Sequence, residues 1–544
     1  MTNVVTEPAG IEDQRRASDP VASVWVMANA GSGKTRVLTD RVLRLLLNGT
    51  RPNAILCLTF TKAAAAEMAN RLHKRLGTWS VLPDAELAAE LRTLLGRGAT
   101  DDEMRLARQL FARTLDCAGR LRIQTIHSFC ESLLKRFPLE ADVPPHFGVA
   151  DDATAAQLIE DARERLLATA SGDEKLSPAL AFVVGEIEET GFREVIAELV
   201  AERRKLRRLL ANHGEDVEKL VASVWRHLGV VETDAPESLR AAFVAETPED
   251  DLRRAAATLD TGSAADAKRA AAIRAWLAAA DRDARIETEW ADIFLTKNGQ
   301  PRATLITQKA QKSDDAALEI LEKEQARVVQ FCERLKAVTV ARGTAALLRL
   351  GKALLDIYEE EKAARALLDY DDLIFKTGAL LRRSGQAAWV LFKLDGGIDH
   401  ILVDEAQDTS PEQWDVIAAL SEEFFAGHGA RERQRTIFAV GDDKQSIFSF
   451  QGADPEAVSH MRAHFAARAR DAGQVFRSVD LKISFRSCAA VLNAVDTIFS
   501  RAEARDGVCM NGTEIRHIPY RKSAGGMVEL WKPVAPREDE AGDP

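Results

Sequence analysis

The chain has 544 residues, 46% hydrophobic and 29% charged, with a formal net charge of −11. At roughly 100–200 residues per domain, that length exceeds a single domain. The acidic balance excludes a protein whose whole surface grips nucleic acid, so any such contact needs a local groove.

The first element is the apolar, β-branched run at 21–30 (VASVWVMANA), which ends in a glycine loop. It reads as a buried parallel strand feeding a phosphate loop. Residues 35–47 have helical spacing, 54–60 (AILCLTF) form a second short strand, and 63–76 a second helix. A third strand is expected at 121–126 (LRIQTI). Strand–helix alternation of this kind implies an α/β parallel sheet. From about 150 to 395 the texture changes to Ala, Leu, Glu and Arg, with amphipathic spacing at 153–168 and 316–341. A largely helical insertion is expected there, without a repeat period. Strand signals return at 400–403 (HILV), 436–440 (TIFAV) and 479–483 (VDLKI).

Six cysteines, Cys57, Cys117, Cys130, Cys332, Cys488 and Cys509, are scattered with no CxxC pair. They form neither a disulfide framework nor a zinc or iron–sulfur ligand set, and they suit a reducing cytoplasm. The opening residues carry no apolar signal core. No run approaches the ~18 apolar residues of a membrane span, so a cytoplasmic protein is expected.

Two stretches carry chemistry. Ala28-Asn29-Ala30-Gly31-Ser32-Gly33-Lys34-Thr35 fits G-x-x-x-x-G-K-[ST], except that Ala28 replaces the first glycine. Gly31 and Gly33 let backbone N–H groups curve around a phosphate, and the following helix adds its positive end. Lys34 is expected on the β- and γ-phosphates of ATP, and the Thr35 hydroxyl on Mg²⁺. The second stretch, Ile401-Leu402-Val403-Asp404-Glu405-Ala406-Gln407-Asp408, is a strand ending in adjacent carboxylates. Asp404 suits the metal, and Glu405 suits orienting and deprotonating the attacking water. An acidic pair after a strand is common by itself; together with the loop it indicates an NTPase.

Further stretches in the same order resemble the UvrD/Rep/RecB superfamily-1A helicases. Gln14 resembles the adenine-reading glutamine. Residues 58–68 (LTFTKAAAAEM) look like motif Ia, and 124–130 (QTIHSFC) like the following TxHSF element. Residues 440–453 (VGDDKQSIFSFQGA) look like motif III, and 484–487 (SFRS) like motif IV. The stretch DYDDLI at 369–374, the forms of motifs III and IV, and GMVELW at 526–531 look most like the AddA group of helicase–nuclease proteins.

The resemblance implies ATP contacts from Gln14, Ala28, Asn29, Ala30, Gly31, Ser32, Gly33, Lys34, Thr35, Arg36 and Phe485, the last stacking on adenine. It implies that Gln445 senses the γ-phosphate and that Arg486 acts as an arginine finger from across the ATP cleft. DNA contacts are implied for Thr59, Phe60, Thr61, Thr125, His127, Phe448 and Phe450, with Phe60 and Phe450 as base platforms. Gln451 stands where UvrD-type members have Arg.

The implied fold is a RecA-like P-loop NTPase domain (1–150, resumed at 396–478), a 1B-like helical insertion (151–395) and the start of a second RecA-like domain (479–544). The implied activity is that of an ATP-dependent 3′→5′ DNA helicase of double-strand-break repair, acting on single strands and duplex ends with an AddB-like partner. The nearest alternative is a stand-alone UvrD-like repair helicase. No stretch resembles motif V, motif VI or a nuclease motif. A truncated, non-catalytic ATP- and DNA-binding module is therefore the second alternative.

Overall fold

A computed structural model describes residues 10–116, 121–383, 389–390, 393, 397–425, 434–446, 453–506, 508 and 515–532. The chain divides into two compact units: Met1–Val149 with Leu368–Pro544, and Ala150–Leu367.

The first unit is built on a six-stranded parallel sheet. Its strands in chain order are β1 (Ser23–Ala28), β2 (Ile55–Thr59), β3 (Arg122–Thr125), β4 (His400–Val403), β5 (Thr436–Gly441) and β6 (Phe476–Leu481). Their order across the sheet is β3-β2-β4-β5-β1-β6. The strands read as continuous apolar runs because helices cover both faces. On one face Trp25, Leu56, Ile401 and Ile437 share a core with Phe129, Leu373, Trp414 and Phe465. On the other, Val24, Val26, Cys57, Leu402 and Phe438 pack with Val37, Met68, Leu87 and Leu110. Trp25 stacks on Trp414 with ring centroids 5.5 Å apart. The winding leaves β1, β4 and β5 side by side, so their carboxyl ends and following loops meet at one edge, where ligands of open parallel sheets bind.

Two boundaries differ from the sequence expectation. The helix Tyr370–Arg382 lies within the stretch read as insertion, yet Leu373, Ile374, Leu380 and Leu381 bury in the sheet's core. Its composition matches the insertion; only its burial partners separate it. The run at 479–483 also straddles two elements. Phe476–Leu481 pairs in parallel with β1. A separate strand, β7 (Ile483–Cys488), pairs with β8 (Ile518–Arg521). Lys482 alone separates the two strands, and nothing in the local pattern marks the change of sheet.

The second unit is helical. Its backbone is the 49-residue helix Ala316–Ala364, about 73 Å long at 1.5 Å per residue. Leu321, Val328 and Phe331 pack in one core with Leu252, Trp276, Trp290 and Phe294. Farther along, Leu350, Leu354 and Tyr358 pack in another with Leu158, Leu166 and Val183. The buried Glu324 accepts a hydrogen bond from Trp290 Nε1 at 2.8 Å and pairs with Arg327. Among the described residues no helix is long and apolar enough to cross a membrane.

Candidate functional site

The loop after β1 is shaped by two glycines in the left-handed region, Gly31 at φ +74° and Gly33 at φ +93°. Gly33 caps the helix Lys34–Leu47, whose first turn faces the loop. The buried Gln14 donates from Nε2 to Ser32 O at 3.1 Å. A Cβ on Gly33 would stand 2.9 Å from that same nitrogen. Ser32 Oγ is buried without a hydrogen-bond partner among the described residues.

The carboxyl end of β4 lies beside this loop. Asp404 N donates to Leu58 O at 2.9 Å, tying the strand end to β2. Glu405 adopts a left-handed conformation, φ +50° and ψ +51°. For a residue with a Cβ this costs about 1–2 kcal/mol, so its surroundings must hold it. Lys34 Nζ donates to Glu405 Oε2 at 3.1 Å and approaches Gln445 Oε1 at 3.5 Å. Gln407 Nε2 donates to Glu405 Oε2 at 2.9 Å and to Asp408 Oδ2 at 3.0 Å. Burial pushes the Asp404 carboxyl up to about 6, and the neighbouring Glu405 adds to the rise. The same causes, in the same order, push Asp408 up to about 6.

The loop after β5 completes this cluster. Gln407 Oε1 accepts from Asp442 N at 2.9 Å. Asp442 Oδ2 accepts from Gln445 Nε2 at 2.6 Å, and Asp442 Oδ1 pairs with Lys444 Nζ at 2.8 Å. Three strand ends, those of β1, β4 and β5, thus bring Lys34, Glu405 and Gln445 together.

Arg486 is exposed and its side chain makes no hydrogen bond or ion pair among the described residues. Its backbone, however, is fixed against the phosphate loop. Phe485 N donates to Gly31 O at 2.8 Å, and the buried Ser484 donates from Oγ to Ala30 O at 3.2 Å. A Cβ on Gly31 would stand 2.6 Å from Arg486 Cβ. β7 thus lies against the phosphate loop, with the Arg486 Cβ beside Gly31. Phe485 packs against Tyr520 with centroids 4.8 Å apart. Arg36 is exposed and pairs with Asp40 at 3.7 Å.

Of the residues implied for DNA, Thr59, Phe60, Thr61, Thr125 and His127 lie at or just after the carboxyl ends of β2 and β3, where Thr59 and Thr125 are register partners. Three of them have local structural roles. Thr59 Oγ1 donates to Thr61 O, Thr61 Oγ1 caps the helix Lys62–Val81, and Thr125 Oγ1 caps the helix Ile126–Arg136. Phe60 is half-buried, and the His127 ring meets Tyr370 edge-on at 5.5 Å. Phe448 and Phe450 lie outside the described residues.

Thr35 and Asp404 suit Mg²⁺ chemically. A buried carboxylate that takes up protons readily is one that a cation would stabilise. Mg²⁺ needs only one or two carboxylates when phosphate oxygens and water complete its shell. Among the described residues no group of three or more His, Cys, Asp or Glu is placed to hold a metal ion. Sequence reasoning missed Gln407, Asp408, Asp442 and Ser484. Their only signal was position inside motifs already marked, since buried polar residues show no periodicity.

Fold and site together define a mixed α/β protein of the helicase-domain class, with a parallel sheet presenting a glycine loop and an acidic strand end at one edge. The chain belongs to the UvrD/REP helicase N-terminal domain family, whose model matches residues 11–466. It is similar to the AddA-type ATP-dependent helicase/nuclease protein of Lactobacillus gasseri, with 25% identity over 90% of this chain and 40% of that protein. The same-named proteins of Limosilactobacillus fermentum (26%; 90% and 37%) and Geobacillus kaustophilus (24%; 88% and 38%) match comparably. The chain spans about two-fifths of the length of these curated relatives. Membership in this helicase family implies use of ATP.

Proposed function

We propose that the chain is the ATP-binding part of an AddA-like 3′→5′ DNA translocase and helicase of double-strand-break repair. In this reading the six-stranded sheet is a RecA-like motor domain, residues 150–367 are its 1B-like insertion, and β7 with β8 begins a second motor domain. The observation that carries the proposal is the convergence of Lys34 on Glu405 at 3.1 Å and Gln445 at 3.5 Å. A lysine, a carboxylate and an amide from three strand ends are the groups that phosphoryl transfer to water requires.

The phosphates of ATP would lie in the cradle of Ala28–Thr35, with Gln14 and Phe485 toward the adenine. Lys34 would leave Glu405 for the β- and γ-phosphates. Glu405, freed of that ion pair, would accept a proton from the attacking water. Gln445 would meet the γ-phosphate, and Arg486 would place charge against it from β7. Thr35 and Asp404 would hold Mg²⁺, which supplies positive charge against the phosphate oxygens when bound. Phe60 and Phe450 would be sequence-indifferent base platforms, each worth about 1–3 kcal/mol. The relatives' name, which makes each of them one component of a helicase/nuclease, supports an AddB-like partner and DNA ends as the substrate.

The test is DNA-stimulated ATP hydrolysis by the full-length protein and its Lys34→Ala variant, with strand displacement from 3′- and 5′-tailed duplexes. Stimulation lost in the variant and displacement from the 3′ tail are expected. Hydrolysis unaffected by Lys34→Ala overturns the ATPase assignment, and displacement from the 5′ tail alone overturns the polarity.

A further inference from the structure

The polar contacts at the carboxyl edge form a closed circuit of five residues. Lys34 Nζ donates to Glu405 Oε2 at 3.1 Å, and Gln407 Nε2 donates to the same oxygen at 2.9 Å. Gln407 Oε1 accepts from Asp442 N at 2.9 Å. Asp442 Oδ2 accepts from Gln445 Nε2 at 2.6 Å, and Gln445 Oε1 faces Lys34 Nζ at 3.5 Å. Lys34 takes part in two of the five contacts. When it turns to a phosphate both are lost, and only Gln407 still joins Glu405 to the Asp442–Gln445 turn.

We propose that Gln407 is the positioning residue that holds Glu405 for water activation and couples it to the turn after β5 once Lys34 has moved to phosphate. The inference rests on the ATPase reading above. Four features support it. Gln407 is 2% exposed, and its amide uses both donor and acceptor, a combination that no carboxylate or apolar side chain supplies. Glu405 is a left-handed non-glycine residue, a conformation that persists only when its surroundings determine it. Gln407 O also accepts from Ser446 Oγ at 3.3 Å, so backbone and side chain both grip the turn. Finally, a Cβ on Gly441 would stand 2.6 Å from Gln407 Oε1 and 3.2 Å from Ala406 N. The glycine leaves the room that the amide occupies.

The experiment uses the full-length protein and compares Gln407→Met, Gln407→Glu and Gly441→Ala with wild type and Lys34→Ala. Equilibrium ATP affinity, kcat with and without single-stranded DNA, and melting temperature are measured. Gln407→Met keeps the volume without hydrogen bonds, and Gln407→Glu keeps an acceptor without donors. Gly441→Ala displaces the Gln407 amide without changing residue 407 itself. All three are expected to bind ATP within about threefold of wild type. Their kcat should fall about 10²-fold, the size of losing one preorganised polar contact, and DNA stimulation should fall toward none. A folded Gln407→Glu or Gln407→Met variant with normal kcat and normal stimulation overturns the inference. So does a loss confined to ATP affinity. If Gln407→Met does not fold, Gln407→Glu and Gly441→Ala decide alone. A wild type indifferent to Lys34→Ala overturns the ATPase reading itself; a Lys34-dependent wild type with normal Gln407 variants overturns only the coupling.

Discussion

The Lys34 amine meets Glu405 and Gln445, so its loss removes positive charge from the phosphate loop. Lys34→Ala in the full-length protein is expected to lower ATP turnover by at least about 10²-fold with little change in melting temperature. Near-normal turnover would refute the loop assignment. Glu405→Gln is expected to retain ATP binding and lose hydrolysis, since the amide keeps the shape but takes no proton; general bases contribute about 10²–10⁴ in rate. A collapse of nucleotide affinity instead would mean that Glu405 serves metal or structure. Gly31 is constrained twice, by φ +74° and by Arg486 Cβ 2.6 Å from any added Cβ. Gly31→Ala should therefore weaken ATP binding and lower the melting temperature together. A variant with normal affinity and stability would show that β7 moves freely off the loop. Among these residues the charged ones were legible in the sequence, because lysine after glycines and paired carboxylates after a strand are recognisable patterns. Gln407 was not, because a buried amide acquires meaning only when its partners from another strand are in place.

At the scale of elements, the amino ends of β4 and β5 carry a second buried polar group, remote from the loop by strand direction. His400 Nδ1 meets Thr436 Oγ1 at 2.8 Å, and the fully buried Arg41 donates to the same oxygen at 2.9 Å and to Ala22 O at 2.6 Å. Burial first, and Arg41 second, hold His400 down at about 3. Its ordinary value is about 6.5. Between these values the unfolded chain binds a proton that the folded chain excludes, so stability falls as pH drops below about 6.5. Each unit of that window removes up to about 1.4 kcal/mol. Replacing His400 by Gln, which cannot titrate, should flatten the decline of melting temperature between about pH 6.5 and 5. An unchanged slope would assign the acid sensitivity elsewhere. The strands were readable as apolar runs of the right length, and the helices on both faces as amphipathic stretches. Their allocation was not readable. Tyr370–Arg382 has the composition of the helical insertion, and Phe476–Leu481 and Ile483–Cys488 join different sheets across a single residue.

At the scale of the molecule, the placement of Arg486 changes what the 544-residue chain should do by itself. The sequence alone suggests an arginine carried on a partly built lobe and therefore loosely placed. Instead, Phe485 N bonds Gly31 O at 2.8 Å and Ser484 Oγ bonds Ala30 O at 3.2 Å, so the arginine's backbone is anchored on the loop that it would serve. ATP binding by residues 1–544 then needs little outside the sheet's carboxyl edge. Hydrolysis needs more. The resemblance implies a second arginine from a motif that this sequence does not contain, and an arginine finger is worth about 10³–10⁵ in rate. The chain matches about two-fifths of these relatives' length. Residues 1–544 are therefore expected to bind ATP, to hydrolyse it at least about 10³-fold more slowly than an AddA-type relative that carries both arginines, and to unwind no duplex. Single-turnover hydrolysis and a strand-displacement assay on both proteins, side by side, provide the check. Processive unwinding by the 544-residue chain would show that the second half of the motor has been misplaced, and that Arg486 supplies all the positive charge the γ-phosphate requires from that side.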